Sequence, residues 1–524
     1  MSSTTPCRDA ARAARRVAVL TMLAALPACH LPRPDTSPGP DLSVVTGKAA
    51  YRHAHWGLHV EDRHTGEVLL SWNGARLFAP ASNTKLFSVA AAFEALGPDF
   101  RFETPVYRTG PVRDGGVLDG HLVLRASGDF TLGGRDDGHG GIQVTDSDHI
   151  YARGNPHTRL TSADPLAGLR HLAARVRAAG IIRARDVIVD DRIFRPCAST
   201  GSGPRQVTPI AINDNLLDFV VRPTAPRQSA RVDWRPQMSG IRVESRVTTV
   251  AHGTYDVQVS RPEPGLYVLT GSIPMGSSPR VEIHEVADPT AMARRAFLDC
   301  LRRAGVEIDA DAAAPNATQR LPADGAGLQL VASLVSAPFA AAARLILKTS
   351  HNLHASALPL LIESRHGTGE LQRGLQRERM LLHSLGVATD ELSFGGGAGG
   401  ARADMATPRA TVQLLRDVAS RPWFEAFRDA LPVLGVDGTL ARVGTDSAAR
   451  GHVRAKTGTY YVYDAMHQRS LLTSKALAGY IHTRRGRELV FSVVVNNVPL
   501  AQGVTTDSIG EDLGRISSLL YDAY

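Results

Sequence analysis

Two short serine motifs stand far apart in this chain, with 267 residues (83–349) between their serines. The first is Ser82-Asn83-Thr84-Lys85 and the second is Ser350-His351-Asn352; a third motif, Lys456-Thr457-Gly458, follows later. A serine hydroxyl is a poor nucleophile until a neighbouring base takes its proton. If the three motifs work together, the fold must join the two ends of the chain and carry the residues between them as an insertion. Residue usage singles out the same three places. The chain has five lysines against 54 arginines, and three of the five (Lys85, Lys348 and Lys456) lie in or beside the motifs. Guanidinium stays protonated at any working pH, whereas a desolvated ammonium can give up its proton and act as a base.

Local patterning fits a split domain. His55 to Val60 alternates Trp56, Leu58 and Val60, Asp62 to Gly66 marks a turn, and Val68 to Trp72 returns, which predicts a hairpin. Pro80 then precedes a helix that carries Lys85, Leu86, Val89, Ala90 and Phe93 at helical spacing and stops at Gly97-Pro98. Ser82 and Lys85 fall one helical turn apart, close enough to share a hydrogen bond. Residues 104–325 have another texture, with short strand-like pieces such as Gly120–Arg125, Asp186–Asp190, Phe219–Val221 and Leu266–Leu269, and one amphipathic helix near Leu166–Ala179. From about 330 the pattern turns helical, with helices expected at Ala337–Lys348, Thr407–Ser420 and Trp423–Ala430. Ala476–His482 and Glu488–Asn496 read as strands, and Ile509–Leu520 as a closing helix. We expect an α/β domain formed by 51–103 and 326–524, interrupted by β-rich insertion at 104–325.

The N-terminus reads as an export signal. Arg12, Arg15 and Arg16 precede the apolar run Val17–Leu26, which is too short to span a bilayer stably. Residues 1–28 form the expected signal peptide, followed by a Pro-rich tether over 29–50. Leu26-Pro27-Ala28-Cys29 resembles a lipoprotein cleavage box with Cys29 as the lipidated residue, although Pro27 is unusual there, and Arg15-Arg16 is a weak twin-arginine signal. Net charge is +8, but residues 1–28 hold four arginines and one aspartate, so a processed chain carries about +5. No basic run is interleaved with aromatics, which argues against nucleic-acid binding. Without the first 28 residues and Cys29, Cys197 and Cys300 remain; they either pair in an oxidising compartment or stay as unpaired thiols.

The three motifs divide the chemistry among themselves. Lys85 is the candidate base for Ser82, with Lys456 as the second charge that depresses its pKa. Ser350 is placed to relay a proton to a leaving amine, and Asn352 to hold the Lys85 amine and a substrate amide. Thr457 and Thr459 offer hydroxyls to a substrate carboxylate, Gly458 lets an acyl donor lie close to the strand, and the backbone N–H groups of Ser82 and Thr459 are the candidate oxyanion hole. Each motif is common by itself. In this order they are the trio of class A β-lactamases and penicillin-binding proteins.

Further stretches narrow the match: Ser82 to Phe87, Phe93-Glu94-Ala95-Leu96-Gly97-Pro98-Asp99, Ser127-Gly128-Asp129, Val187-Ile188-Val189-Asp190-Asp191 and Lys348 to Asn352. With these, residues from about 50 to 515 resemble the D-alanyl-D-alanine carboxypeptidase/endopeptidase family, the class C low-molecular-mass penicillin-binding proteins. The long gap before Ser350 matches that family's insertion, for which class A β-lactamases have no room. The resemblance implies a transpeptidase-like (serine β-lactamase-like) domain with an antiparallel sheet and flanking helices, carrying two inserted domains. It implies no metal or organic cofactor. It also implies a periplasmic or envelope DD-peptidase acting on peptidoglycan stem peptides or cross-links through a Ser82 acyl-enzyme, with β-lactams as covalent inhibitors.

The chain departs from the family at three places. His351 stands where Asp is usual, a side chain commonly directed away from the reacting bond. Gly395 to Gly400 lacks the Asp and Ser of an Asp-Gly-Ser-Gly motif, and Tyr460 to Lys475 is longer than a simple strand turn. His139, Asp146, Asp148 and His149 are residue types that could ligate a metal but are read as a solvated loop, and His284-Glu285 lacks the second His of a zinc-protease helix. Two other functions share these residues. A β-lactamase needs a positioned deacylating base, and no Glu signature for one stands out between Ser350 and Lys456. A non-catalytic envelope-binding protein has no need to keep every reacting residue.

Overall fold

Strands from both ends of the chain build one sheet. The computed structural model describes residues 39–323, 325–367 and 369–524; the expected signal peptide over 1–28, Cys7 and Cys29 lie outside them. β1 (His55–Asp62) and β2 (Val68–Trp72) form the expected hairpin. β1 also pairs with a strand more than 400 residues later, so that among the described residues the sheet has five antiparallel strands. Their order is β3 (Val453–Asp464), β4 (Arg469–His482), β5 (Glu488–Pro499), β1, β2. β1 is an interior strand covered on both faces, which explains why seven of its eight residues are buried instead of every second one.

Alternation along β4 and β5 puts two helical layers on opposite faces. Ala478, Tyr480 and Val490 pack with α1 (Thr84–Leu96), α2 (Phe339–Lys348), α3 (Asn352–Ser364), α4 (Leu371–Ser384) and α5 (Pro408–Val418). Leu477, Ile481, Leu489 and Phe491 pack with α6 (Thr506–Ala523) on the other face. α1 is buried all round from Thr84 to Phe93 and ends where Gly97 takes φ 82°. Pro359 is tolerated inside the buried α3, an element that propensity alone argues against.

Between α1 and α2 the chain makes further sheets around a separate core. Glu103–Arg108, Val117–Arg125, Arg183–Asp190, Glu307–Ile308 and Gln329–Val335 share one sheet, edged by Val112–Arg113, with helices Ala167–Ala178 and Pro289–Arg303 packed against it. Two three-stranded sheets, around Leu216–Arg222 and Leu266–Pro274, and the short pair Cys197–Ala198 with Gln206–Val207 belong to the same region. The long Tyr460–Lys475 segment is a continuation of the β3–β4 hairpin, with Tyr461, Tyr463 and Met466 exposed. Cys197 and Cys300 are free thiols. No helix among the described residues is long and apolar enough to cross a membrane.

Candidate active site

Ser82 lies in a single 3-10 turn, Ala81–Asn83, that feeds into α1. Ala81 is forced to φ 46°, a left-handed conformation that non-glycine residues avoid. Two glycines make the turn possible by letting backbone press on it from both sides. A Cβ on Gly399 would meet the Ala81 carbonyl at 1.8 Å, and one on Gly458 would meet the Pro80 carbonyl at 2.6 Å.

Lys85 extends back along α1 to the serine. Its Nζ lies 2.9 Å from Ser82 Oγ, 2.6 Å from Asn352 Oδ1 and 2.6 Å from the Ala398 carbonyl. The side chain is fully buried, and burial, then repulsion from Lys456, holds its pKa well below the usual lysine range; Asp404 opposes this weakly. A neutral amine has two donors and one acceptor. That inventory fits the three partners: the amine donates to the two carbonyl oxygens, and the Ser82 O–H donates to it.

Lys456 is also buried. Its Nζ donates to Ser350 Oγ at 2.9 Å and to the Thr457 carbonyl at 2.7 Å. Burial first, then the charge of Lys475, brings it down to about 7. Ser350 has φ 62°, another strained non-glycine position. Tyr151 fixes it by donating to the Ser350 carbonyl at 2.6 Å, and Asn352 Nδ2 donates to the Ser202 carbonyl at 2.8 Å. Ser82, Ser350, Asn352, Thr457 and Thr459 line one cleft of about 700 Å³. Thr457 Oγ1 donates to Thr439 Oγ1 at 2.7 Å, and Thr459 is exposed at the rim. Lys348, by contrast, is held by both oxygens of Asp437 at 2.6 Å and reaches none of these groups.

The glycine-rich stretch that lacks Asp and Ser acts through its main chain. The Ala398 carbonyl meets Lys85, and the Gly397 carbonyl accepts from Ser88 Oγ at 3.1 Å. Asp404 anchors the loop by accepting from Gly395 N and Ala401 N, both at 2.8 Å.

The solvated-loop reading of residues 139–149 needs correction at two of its four positions. His139 and Asp146 are exposed, but Asp148 and His149 are buried beneath the Ser350 turn. Arg135 donates to both oxygens of Asp148 (2.8 and 3.1 Å) and to Asp214 at 2.8 Å. His149 bridges Asp218 (2.7 Å) and Asp214 (2.9 Å), and Arg235 completes Asp218 at 2.9 Å. Burial alone would lower the His149 pKa, but Asp218 and Asp148 outweigh it and raise it to about 10. Three carboxylates therefore face three cations. Asp148, His149 and Asp214 bring ligand atoms within 4.8 Å of one another, as do Asp214, His351 and His354, but the carboxylates among them are already engaged in these ion pairs.

His351 points into this cluster, fully buried. Its Nδ1 caps α3 by accepting from His354 N at 3.4 Å, the part an Asp would play there. Burial, more than its neighbour His354, lowers it to about 4, so it is neutral at working pH. None of the cluster carries a sequence signature, because its members come from separate stretches and meet only in space.

A family model, D-Ala-D-Ala carboxypeptidase 3 (S13) family, matches residues 41–511. A D-alanyl-D-alanine carboxypeptidase from Actinomadura sp. is 30% identical over 481 residues, covering 87% of this chain and 80% of that protein. A D-alanyl-D-alanine carboxypeptidase from Haemophilus influenzae is 22% identical over 464 residues, 84% of this chain and 85% of that protein. The crystal structure of penicillin binding protein 4 from the same organism superposes with a TM-score of 0.66 at 20% identity, over 92% of this chain and 99% of that one. The chain thus belongs to the D-Ala-D-Ala carboxypeptidase 3 (S13) family and is a serine-type DD-peptidase.

Proposed function

We propose that Ser82 is the nucleophile and Lys85 its general base in cleavage of D-Ala-D-Ala termini, or of D-Ala cross-links, in peptidoglycan. The observation that carries this reading is the Lys85 amine, buried and within 2.9 Å of Ser82 Oγ, with two carbonyl acceptors for its remaining hydrogens. Ser82 Oγ attacks the penultimate D-Ala carbonyl carbon and its proton passes to Lys85. The backbone N–H groups of Ser82 and Thr459 take the developing oxyanion. Ser350, hydrogen-bonded to Lys456, delivers a proton to the leaving amine as the C–N bond breaks. Water then hydrolyses the ester. Asn352 orients Lys85 and a substrate amide, while Thr457 and Thr459 receive the leaving group's carboxylate.

The same acylation makes β-lactams covalent inhibitors. A β-lactamase would also need a base to clear the adduct. The fully buried Glu378 is no such base: it lies outside the cleft, burial pushes it up to about 8, and its carboxyl is tied up in a 2.9 Å hydrogen bond with Ser88 Oγ. We assign 39–102 and 336–524 to the catalytic domain and 103–335 to the insertion, wider than the expected 104–325 because Gln329–Val335 pairs with Glu103–Arg108 in the insertion's sheet. Residues 1–28 direct export to the periplasm or envelope, with Cys29 as lipid anchor; the tether expected over 29–50 stops short of Leu42, because the turn of helix at Ser43–Thr46 already packs Val45 into the core beside α6.

Intact mass after incubation with benzylpenicillin tests the chemistry. A stable one-to-one adduct is expected on the wild type and none on Ser82→Ala; an adduct on that variant places the nucleophile elsewhere. Gly399→Ala is expected to slow acylation by about 10²-fold, because a Cβ 1.8 Å from the Ala81 carbonyl must displace the Ser82 turn or the Ala398 acceptor. Wild-type acylation kinetics in that variant would mean the close approach is not needed.

A further inference from the structure

Lys475 has no part in the chemistry above, although it is one of the five lysines in this arginine-rich chain. It lies on β4 directly opposite Thr459 in the antiparallel ladder, with Leu477 opposite Thr457. Paired residues on neighbouring antiparallel strands project from the same face with Cβ atoms about 5 Å apart. Lys475 therefore shares the face of the two threonine hydroxyls and lines the same cleft. Its ammonium extends over α6 at Gly510, where the missing side chain leaves room: a Cβ there would stand 3.2 Å from Cε and 3.3 Å from Nζ. It forms no hydrogen bond or ion pair among the described residues. Asp507 attracts it, but only as a longer-range charge.

An unpartnered, largely desolvated cation facing a cleft is costly unless an anion completes it. Lys456 is already committed to Ser350 Oγ and the Thr457 carbonyl, and the threonine hydroxyls carry no charge. We propose that Lys475 is a specificity-determining residue that supplies the positive charge for the free carboxylate of the scissile C-terminal residue, beside Thr457 and Thr459. Burial holds Lys475 at about 8, so it is mostly protonated at neutral pH. The proposal rests on the DD-peptidase reading and deepens it. Lysine is suited to this place because a compact point charge fits between β4 and Gly510, where a guanidinium fork needs more space.

The test compares acylation of wild type, Lys475→Met and Lys475→Arg by benzylpenicillin, which carries a carboxylate, and by its methyl ester, which does not. Adduct formation is followed by intact mass. The wild type is expected to prefer the acid by about 10- to 100-fold. That preference should collapse in Lys475→Met, mainly through weaker saturation with the acid, and return in part in Lys475→Arg. The acid-to-ester ratio does not depend on how much of a variant is correctly folded. If Lys475→Met slows both compounds equally, or neither, Lys475 is not the carboxylate's partner. If the wild type forms no adduct with either compound, the DD-peptidase reading itself fails, a separate outcome.

Discussion

Arginine in place of Lys85 is expected to slow acylation by benzylpenicillin about 10³-fold. A guanidinium keeps its proton at any usable pH and so has no lone pair to offer Ser82. In the wild type the opposite holds: full burial and the Lys456 charge favour the neutral amine. The pH profile carries the sign. Activity should rise as pH climbs through the depressed Lys85 pKa, since the base form is needed. It should fall as pH passes the Lys456 pKa near 7, since its proton holds Ser350 and repels the one on Lys85. In Lys85→Arg the acidic limb should disappear along with the rate. Acylation of a well-folded variant within tenfold of the wild type would show that another group takes the Ser82 proton.

The second large effect is on stability. Arg135→Met removes the cation that Asp148 and Asp214 share and leaves two buried carboxylates short of a partner. Breaking a buried ion pair from one side costs about 3–5 kcal/mol, read as a lower urea midpoint with an unchanged slope. Acylation should also slow, because the cluster lies directly under the strained Ser350 turn. Burial opposes ionisation of Asp148 and Asp214, yet Arg135 overcomes it and holds both carboxyls below the usual range. Their stabilisation is present above about pH 4 and is lost as pH falls further. His149 is raised instead, so its share is complete below about 6.5 and fades as pH climbs towards about 10. Thermal unfolding should therefore be most favourable to the folded state on the acid side of neutrality. An Arg135→Met midpoint within error of the wild type would remove the cluster from any supporting role.

What was legible in the sequence was what is local or periodic. The hairpin at His55–Trp72, the helix after Ser82 and the three motifs each announce themselves within one short local stretch, and Ser82, Lys85, Ser350, Asn352, Lys456, Thr457 and Thr459 do come together. Lys348 shows the limit of the lysine argument, since an ion pair with Asp437 is reason enough for its place. The supports of the site were not legible for a physical reason. Arg135, Asp214 and His354 interact across separations of 79 and 140 residues, and no local spacing encodes such a meeting. The Ala398 carbonyl is invisible in another way: every residue has one, and only the path of the chain makes this one special.

A main-chain acceptor limits how the site can change. Ser82, Lys85 and Asn352 are each one codon away from losing their function. The acceptor at position 398 is carried by all twenty amino acids, so no point substitution there deletes it; only a shift in the loop's path moves it. Two of the lysine's three contacts are thus open to single-step variation, while the third is conserved by the covalent structure of the polypeptide itself.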